Sequence, residues 1–120
     1  MNHCLQHSSL LRVPSIPDSF QHAFYKCYVY LKLENLGPEW TREKIIDELN
    51  IRGTQCYPGS CSEVYLEDAF INTTFKPNQR LKNAKELGET SLMFLVHPNL
   101  QQSHIDLTCE NISEVMNMIN

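Results

Sequence analysis

The sequence predicts an α+β domain, a small antiparallel or mixed sheet with helices packed on it. Three observations carry that prediction. His22–Leu33, "HAFYKCYVYLKL", alternates with period two and is dense in aromatic and β-branched residues, as a half-buried strand requires. Leu92–Val96 is an unbroken apolar run stopped by His97-Pro98, the signature of a buried strand ended by a residue that cannot donate into a ladder. Between and after these strands, apolar residues recur at helical spacing.

Each element follows in order. Residues 1–20 are polar and carry Pro14 and Pro17, so they read as a lead-in, with 1–10 a flexible start. In the first long strand Tyr25, Cys27, Val29, Leu31 and Leu33 share one face, while Phe24, Lys26, Tyr28 and Tyr30 share the other. "NLGPEW" is a loop, and Thr41 caps the helix "REKIIDELN", whose buried stripe is Ile45, Ile46 and Leu49. Lys44 stands where a capping box would place Glu. Gly53 suits a left-handed turn after this helix. Thr54–Tyr57 is a short strand cut by Pro58-Gly59. A short helix carrying Val64, Tyr65, Leu66 and Phe70, capped by Ser60 or Ser62, is expected next. Residues 71–80 form a loop. "LKNAKELGET" is a helix of strong formers closing near Gly88. After the Leu92–Val96 strand, expected to be buried on both faces, Ser103 caps a last helix with Ile105, Cys109, Ile112, Val115, Met116 and Ile119 on one stripe.

Composition narrows the function classes. A chain of 120 residues with 42% apolar and 20% charged residues is a single folded domain rather than a disordered segment. A net charge of −4 gives no electrostatic basis for nucleic acid or an anionic membrane surface as partner. No apolar run approaches the roughly 20 residues of a membrane span. The N-terminus lacks the basic start and apolar core of a secretory signal, so the cytoplasm is the expected location. Five cysteines at irregular spacing do not make a disulfide framework; Cys27 and Cys109 fall on apolar faces as buried thiols. His3, Cys4 and His7, joined by Cys56 and Cys61, have ligand chemistry, but their spacing fits no zinc pattern. A thiol redox pair at Cys56 and Cys61 would require a thiol that is exposed and of lowered pKa. His22 and His97, at strand ends, are expected to bond to backbone.

No glycine-rich phosphate loop or nucleophile elbow is present. The ordered segments "RVPSIP…HAFYKCYVYLKLE", "WTREKIIDELNIRGTQCYPGSCSEVYLEDAF" and "RLKNAKELGETSLMFLVHPNL" with a closing amphipathic helix resemble the small C-terminal domain of the DegT-type sugar aminotransferases. That family depends on pyridoxal phosphate (PLP). The resemblance spans about residues 11–119 and is weak over 1–10. It implies a domain, 11–120, that closes an active-site cleft whose catalytic lysine, pyridinium partner and phosphate-binding groups belong to a separate, larger N-terminal domain. Lys26, Lys32, Lys44, Lys76, Lys82 and Lys85 match the small domain and are expected to be surface residues. The implied activity of the complete enzyme is transfer of an amino group from an amino-acid donor to a keto-sugar nucleotide, generally by a homodimer. This chain alone is expected to be inactive and to bind no PLP.

The resemblance also marks a substrate-facing loop. Where the family commonly carries a histidine in a "PLH"-like sequence, this chain reads "YPGSCSEVY", so that histidine has no counterpart. Tyr57, Ser60, Cys61, Glu63 and Tyr65 are the candidate substrate contacts, because a Pro-Gly turn leading into a helix presents backbone N–H groups and hydroxyls. Capping by Ser60 or Ser62 and packing by the two tyrosines is the competing role. A free-standing ligand- or protein-binding module derived from such a domain is the alternative function. Loss of the large domain is expected to leave apolar surface exposed.

Overall fold

The computed structural model describes residues 1–119. Its centre is a four-stranded, wholly antiparallel sheet in the order β1–β2–β4–β3, built from β1 (Leu11–Arg12), β2 (Lys26–Leu31), β3 (Cys56–Tyr57) and β4 (Ser91–Leu95). Three α-helices complete it: α1 (Arg42–Ile51), α2 (Lys82–Thr90) and α3 (Gln102–Ile119). The α+β class expected from the sequence is the one observed.

Within Lys26–Leu31 the alternation sorts the two faces as expected, but Tyr25 and Leu33, expected on the core face, lie outside the strand and are 83% and 41% exposed. Val29 and Leu31 are buried, Cys27 packs beside them, and the partners Leu92 and Phe94 on β4 lie on the same face. Against this face pack Ile45 and Leu49 of α1 and Ile112, Val115 and Met116 of α3. Leu10, Leu11 and Cys56 close its margins. β4 is sealed on both faces only in its first part: Leu92, Met93 and Phe94 are buried, whereas Leu95 and Val96 stay half exposed at 44% each.

The turns around α1 show why its ends lie where they do. Lys44 N–H donates to Thr41 Oγ1 at 3.2 Å, the expected N-cap. At the other end Thr54 N–H reaches the Leu49 carbonyl and Gly53 N–H the Asn50 carbonyl, with Gly53 at φ +85°. This paired closure is a Schellman motif. Asn50 then takes over the free edge of β3: its side-chain amide donates to the Cys56 carbonyl (2.9 Å) and its Oδ1 accepts from Cys56 N–H (3.2 Å). The strand is thus bonded on one side by β4 and on the other by a side chain. Buried Asn111 of α3 donates to the Arg52 carbonyl and to Thr54 Oγ1, both at 2.9 Å, fastening α3 to the same turn.

Several expectations are corrected. The flexible start expected at 1–10 is instead packed. Asn2–His7 forms a 3-10 turn against α3, with Cys4 and Leu10 buried. The reason is that Cys4, Leu10 and Leu11 supply apolar area that completes the core margin, a sparse pattern within a polar segment. The short helix expected to carry Val64, Tyr65, Leu66 and Phe70 is two 3-10 turns, Val64–Leu66 and Asp68–Phe70, and neither Ser60 nor Ser62 caps them. Gly88 does not close α2, which continues to Thr90. A Cβ there would stand 2.3 Å from Ser62 Oγ, so any larger residue would make that hydroxyl rotate away. Ser103 lies inside the first turn of α3 rather than capping it. Ile105 N–H bonds to the Gln101 carbonyl, and His104 Nδ1 accepts from Gln101 N–H at 3.1 Å, so a histidine fills the capping-box role usually given to Glu.

Candidate functional site

The face of the sheet away from the core carries Arg12 of β1, Lys26, Tyr28 and Tyr30 of β2, Ser91 and Met93 of β4 and Tyr57 of β3, by the pairing register. Tyr28 and Tyr30 stack at 6.4 Å, and the Arg12 guanidinium lies 4.4 Å over the Tyr30 ring while pairing with Glu86 at 3.6 Å. Between this tyrosine face and residues 14–25 runs a groove of about 800 Å³. Pro14, Ile16, Pro17 and Phe20 lie along one wall, and His22, Phe24, Lys26, Tyr28, Tyr30 and Ser60 are among the other lining residues.

The Pro58-Gly59 turn is locked onto this face. Gly59 has φ +94°, and a Cβ there would stand 2.7 Å from Tyr28 Cε1, so glycine is required by both conformation and space. Ser60 N–H donates to the Tyr28 hydroxyl at 3.2 Å. The Tyr28 and Ser60 hydroxyls lie 3.3 Å apart, and the Lys26 ammonium donates to Ser60 Oγ at 3.2 Å. Ser91 Oγ donates to the Pro58 carbonyl at 2.5 Å. Hydrogen bonding from Ser60 lowers the Tyr28 phenol pKa below its ordinary value, with Lys26 adding to the effect.

The structure divides the five candidate residues. Ser60 alone enters the groove. Tyr57 stands 42% exposed on the edge strand. Cys61 is exposed and its thiol lies 3.4 Å from Glu67 Oε1. Glu63 and Tyr65 form a separate tie. The Tyr65 hydroxyl donates to Glu63 Oε1 at 2.6 Å, and Arg80 grips both carboxylate oxygens, Nε to Oε1 at 2.7 Å and Nη2 to Oε2 at 2.5 Å. Leu81 N–H donates to the Tyr65 hydroxyl at 3.0 Å. This two-pronged pair closes the loop from 63 to 81 at its base. Arg80 first, then Tyr65, hold the Glu63 carboxyl down at about 2.

Lys26 and Tyr28 are the groove residues that sequence reasoning passed over. Their signal was present in the period-two pattern, as the polar-aromatic face opposite the core. The wall formed by residues 14–20 left no periodic trace.

His22 Nδ1 accepts from Phe24 N–H at 2.8 Å and His97 Nδ1 from Asn99 N–H at 3.2 Å, the backbone roles expected of them. Phe24 is the one non-glycine residue at positive φ among those described, at +46°. Cys56 and Cys61 do not make a redox pair. Cys56 is fully buried, burial raises its thiol to about 12, and both thiols are free. Among the described residues, no three His, Cys, Asp or Glu side chains group as metal ligands, and no helix is long and apolar enough to cross a membrane.

Neither a family model nor a curated protein matches the chain. Solved structures do. Over 98% of its length it superposes on an aminotransferase from Psychrobacter cryohalolentis with a TM-score of 0.91 and 46% identity, covering 32% of that chain. It also superposes on the aminotransferase TlmJ from Streptoalloteichus hindustanus (TM-score 0.75, 17% identity, 98% of this chain and 30% of that one). A third match is a DegT DnrJ EryC1 StrS aminotransferase from Brucella abortus (TM-score 0.72, 16% identity, 94% and 28%). The last two comparisons bear on the fold alone. The fold is therefore that of a portion of the aminotransferases, and the chain spans about a third of the length of the structures it matches. The resemblance to the small domain of the DegT-type aminotransferases, drawn from the sequence motifs, is borne out in the fold, which is shared with a 46% identical aminotransferase and with a DegT DnrJ EryC1 StrS aminotransferase.

Proposed function

We propose that the chain serves as the C-terminal domain of a PLP-dependent nucleotide-sugar aminotransferase of the cytoplasm. In the complete, homodimeric enzyme it would cover the cleft of a larger domain and shape the acceptor site. The observation that carries this reading is the 46% identity with an aminotransferase over 98% of the chain. A likeness of fold alone would say much less.

The chain's own residues do not fit PLP. An aldimine lysine needs a shielded amine beside an acidic partner for the cofactor ring. Lys44, Lys76 and Lys82 are exposed. The half-exposed Lys26, Lys32 and Lys85 turn to Ser60, the Ser8 carbonyl and Glu89. No residue here is assigned to the cofactor, which falls to the part of the enzyme outside this chain. The proposed acceptor contacts are Tyr57, Ser60, Cys61, Glu63 and Tyr65, with Ser60 the one that lines the groove.

Exposed apolar side chains in the groove suit a neighbouring domain. Phe20 and Tyr25 both line it and are 70% and 83% exposed, apolar surface that such a neighbour would cover. The competing module reading draws on the groove and on the chain's own continuous core.

The test is an exchange. This chain replaces the corresponding third of the Psychrobacter enzyme, and the chimera is assayed for PLP absorbance and for amino transfer to keto-sugar nucleotides. Cofactor binding with transfer to such an acceptor supports the reading. A folded, PLP-loaded chimera that aminates only other acceptors removes the nucleotide-sugar assignment. Tight ligand binding by the isolated, monomeric chain would favour the module.

A further inference from the structure

The start of the chain is fastened to α3 by two imidazoles sharing one hydroxyl. His3 Nε2 lies 2.8 Å from Ser113 Oγ, and His7 Nε2 lies 3.1 Å from the same atom. The two rings stand 5.8 Å apart. Between them the 3-10 turn carries Cys4, 4% exposed, into the core margin.

One hydroxyl has one proton to give and two lone pairs. With both imidazoles neutral the set is complete, since Ser113 donates to one ring and accepts from the other. With both protonated, neither ring can accept. The Ser113 proton loses its partner and two cations face each other.

Among the described residues, no compensating charge is paired with either imidazole. The Lys32 ammonium donates to the Ser8 carbonyl beside His7 at 2.6 Å, so the further side-chain cation nearby is of the same sign. Cys4, Cys27 of β2 and Cys109 of α3 are the other titratable groups on this side; burial raises the first two thiols, Cys4 to about 11, and keeps them neutral. On α3, Glu114 is drawn to Arg52 at 3.5 Å. Among the described residues, Glu110, the other carboxylate next to Ser113, makes no ion pair, and no carboxylate lies within 4 Å of the His3 or His7 nitrogens. Burial, and then His3, lower the pKa of His7.

We propose that His3, His7 and Ser113 form an acid-released clasp that holds the N-terminal turn, and Cys4 with it, against α3. The sign follows from linkage. A histidine whose pKa is lowered when fastened binds more protons when released. The clasp is therefore complete above the ordinary imidazole value of 6.5 and weakens as pH falls through it. Release is confined to residues 1–7, because Lys32 N–H holds the Leu10 carbonyl (2.8 Å) and the Asn35 side chain holds the Ser9 carbonyl (2.6 Å).

The test labels the full chain with dithiodipyridine, which reacts with thiols in mildly acidic solution. Cys4 and fully buried Cys56 are read separately by mass spectrometry. Their ratio cancels the reagent's own pH dependence, and Cys56 reports global unfolding. From about pH 7.5 to about pH 5.5 the ratio is expected to rise roughly three- to tenfold, within the tenfold per pH unit that one linked proton allows. A His3→Gln/His7→Gln variant keeps an N–H donor and an acceptor at each position but takes up no proton, and its ratio should stay flat. Ser113→Ala should raise the ratio already at about pH 7.5. A wild-type ratio that is flat, or a double variant whose ratio still rises, overturns the clasp. If the double variant labels Cys4 and Cys56 equally and so has unfolded, His7→Gln alone decides: an undiminished rise overturns the proposal and a diminished one supports it.

Discussion

The two faces of β2 differ by one residue in sequence and by everything in environment. Val29 and Leu31 are at most 3% exposed and packed between α1 and α3. Lys26, Tyr28 and Tyr30 face a groove and are held by hydroxyls, a guanidinium and a glycine turn. The first face is specified by volume and is intolerant of change. The second is specified by directional contacts and leaves space unfilled. A domain that works by closing over another surface needs both, a rigid side to hold shape and an incomplete side to meet its neighbour. Under the proposed function, the incomplete side is the tyrosine face.

Substitutions can break that comparison, beginning with the largest effect. Leu92→Ala, at 1% exposure in the strand between β2 and β3, should cost about 2–5 kcal/mol in denaturant unfolding. A loss below about 1 kcal/mol would mean the core face is not close-packed. Gly59→Ala comes next, at about 1–3 kcal/mol, combining left-handed strain with the close approach to Tyr28. Gly53→Ala separates the two causes, since φ there is +85° but nothing lies within 4 Å of the added Cβ. It should cost about 1–2 kcal/mol from conformation alone. In a Tyr28→Ala background the Gly59→Ala penalty should fall to that level. A penalty unchanged by removal of the ring would show that Tyr28 yields without cost. Tyr28→Phe, which removes only a half-exposed hydroxyl, should cost about 0.5 kcal/mol.

The core face was legible in the sequence because a periodic pattern encodes it. The alternation through His22–Leu33, the stripe of Ile45 and Leu49, and the recurrence of Ile112, Val115 and Met116 each repeat with the period of their element. What was not legible depends on pairs distant in sequence. Gly88 reads as a helix stop until Ser62 is found 2.3 Å from its missing Cβ. Cys4 and Leu10 read as a polar tail until α3 arrives beneath them. At the candidate site the substrate-facing loop was found by resemblance, but only Ser60 of its five residues lines the groove. Lys26 and Tyr28 come from a strand 32 or more residues away, and no local pattern links them to Ser60.

The smallest expected effect is local to the loop that the groove does not use. The Glu63–Arg80 pair closes residues 64–80, within which Val64, Leu66, Ile71 and Phe75 expose 43–78% of their surface, so little besides this tie holds the segment. A carboxyl held at about 2 against an ordinary 4.5 contributes stability in full above that ordinary value and loses it as pH falls toward about 2. Backbone hydrogen exchange across 64–80 should therefore accelerate, relative to β2 and β4, as pH is lowered through that window. Glu63→Gln should show the faster relative exchange at neutral pH and no further change on acidification. If the loop's relative exchange stays constant from neutral pH to about pH 3, it is held by its 3-10 turns and not by Arg80.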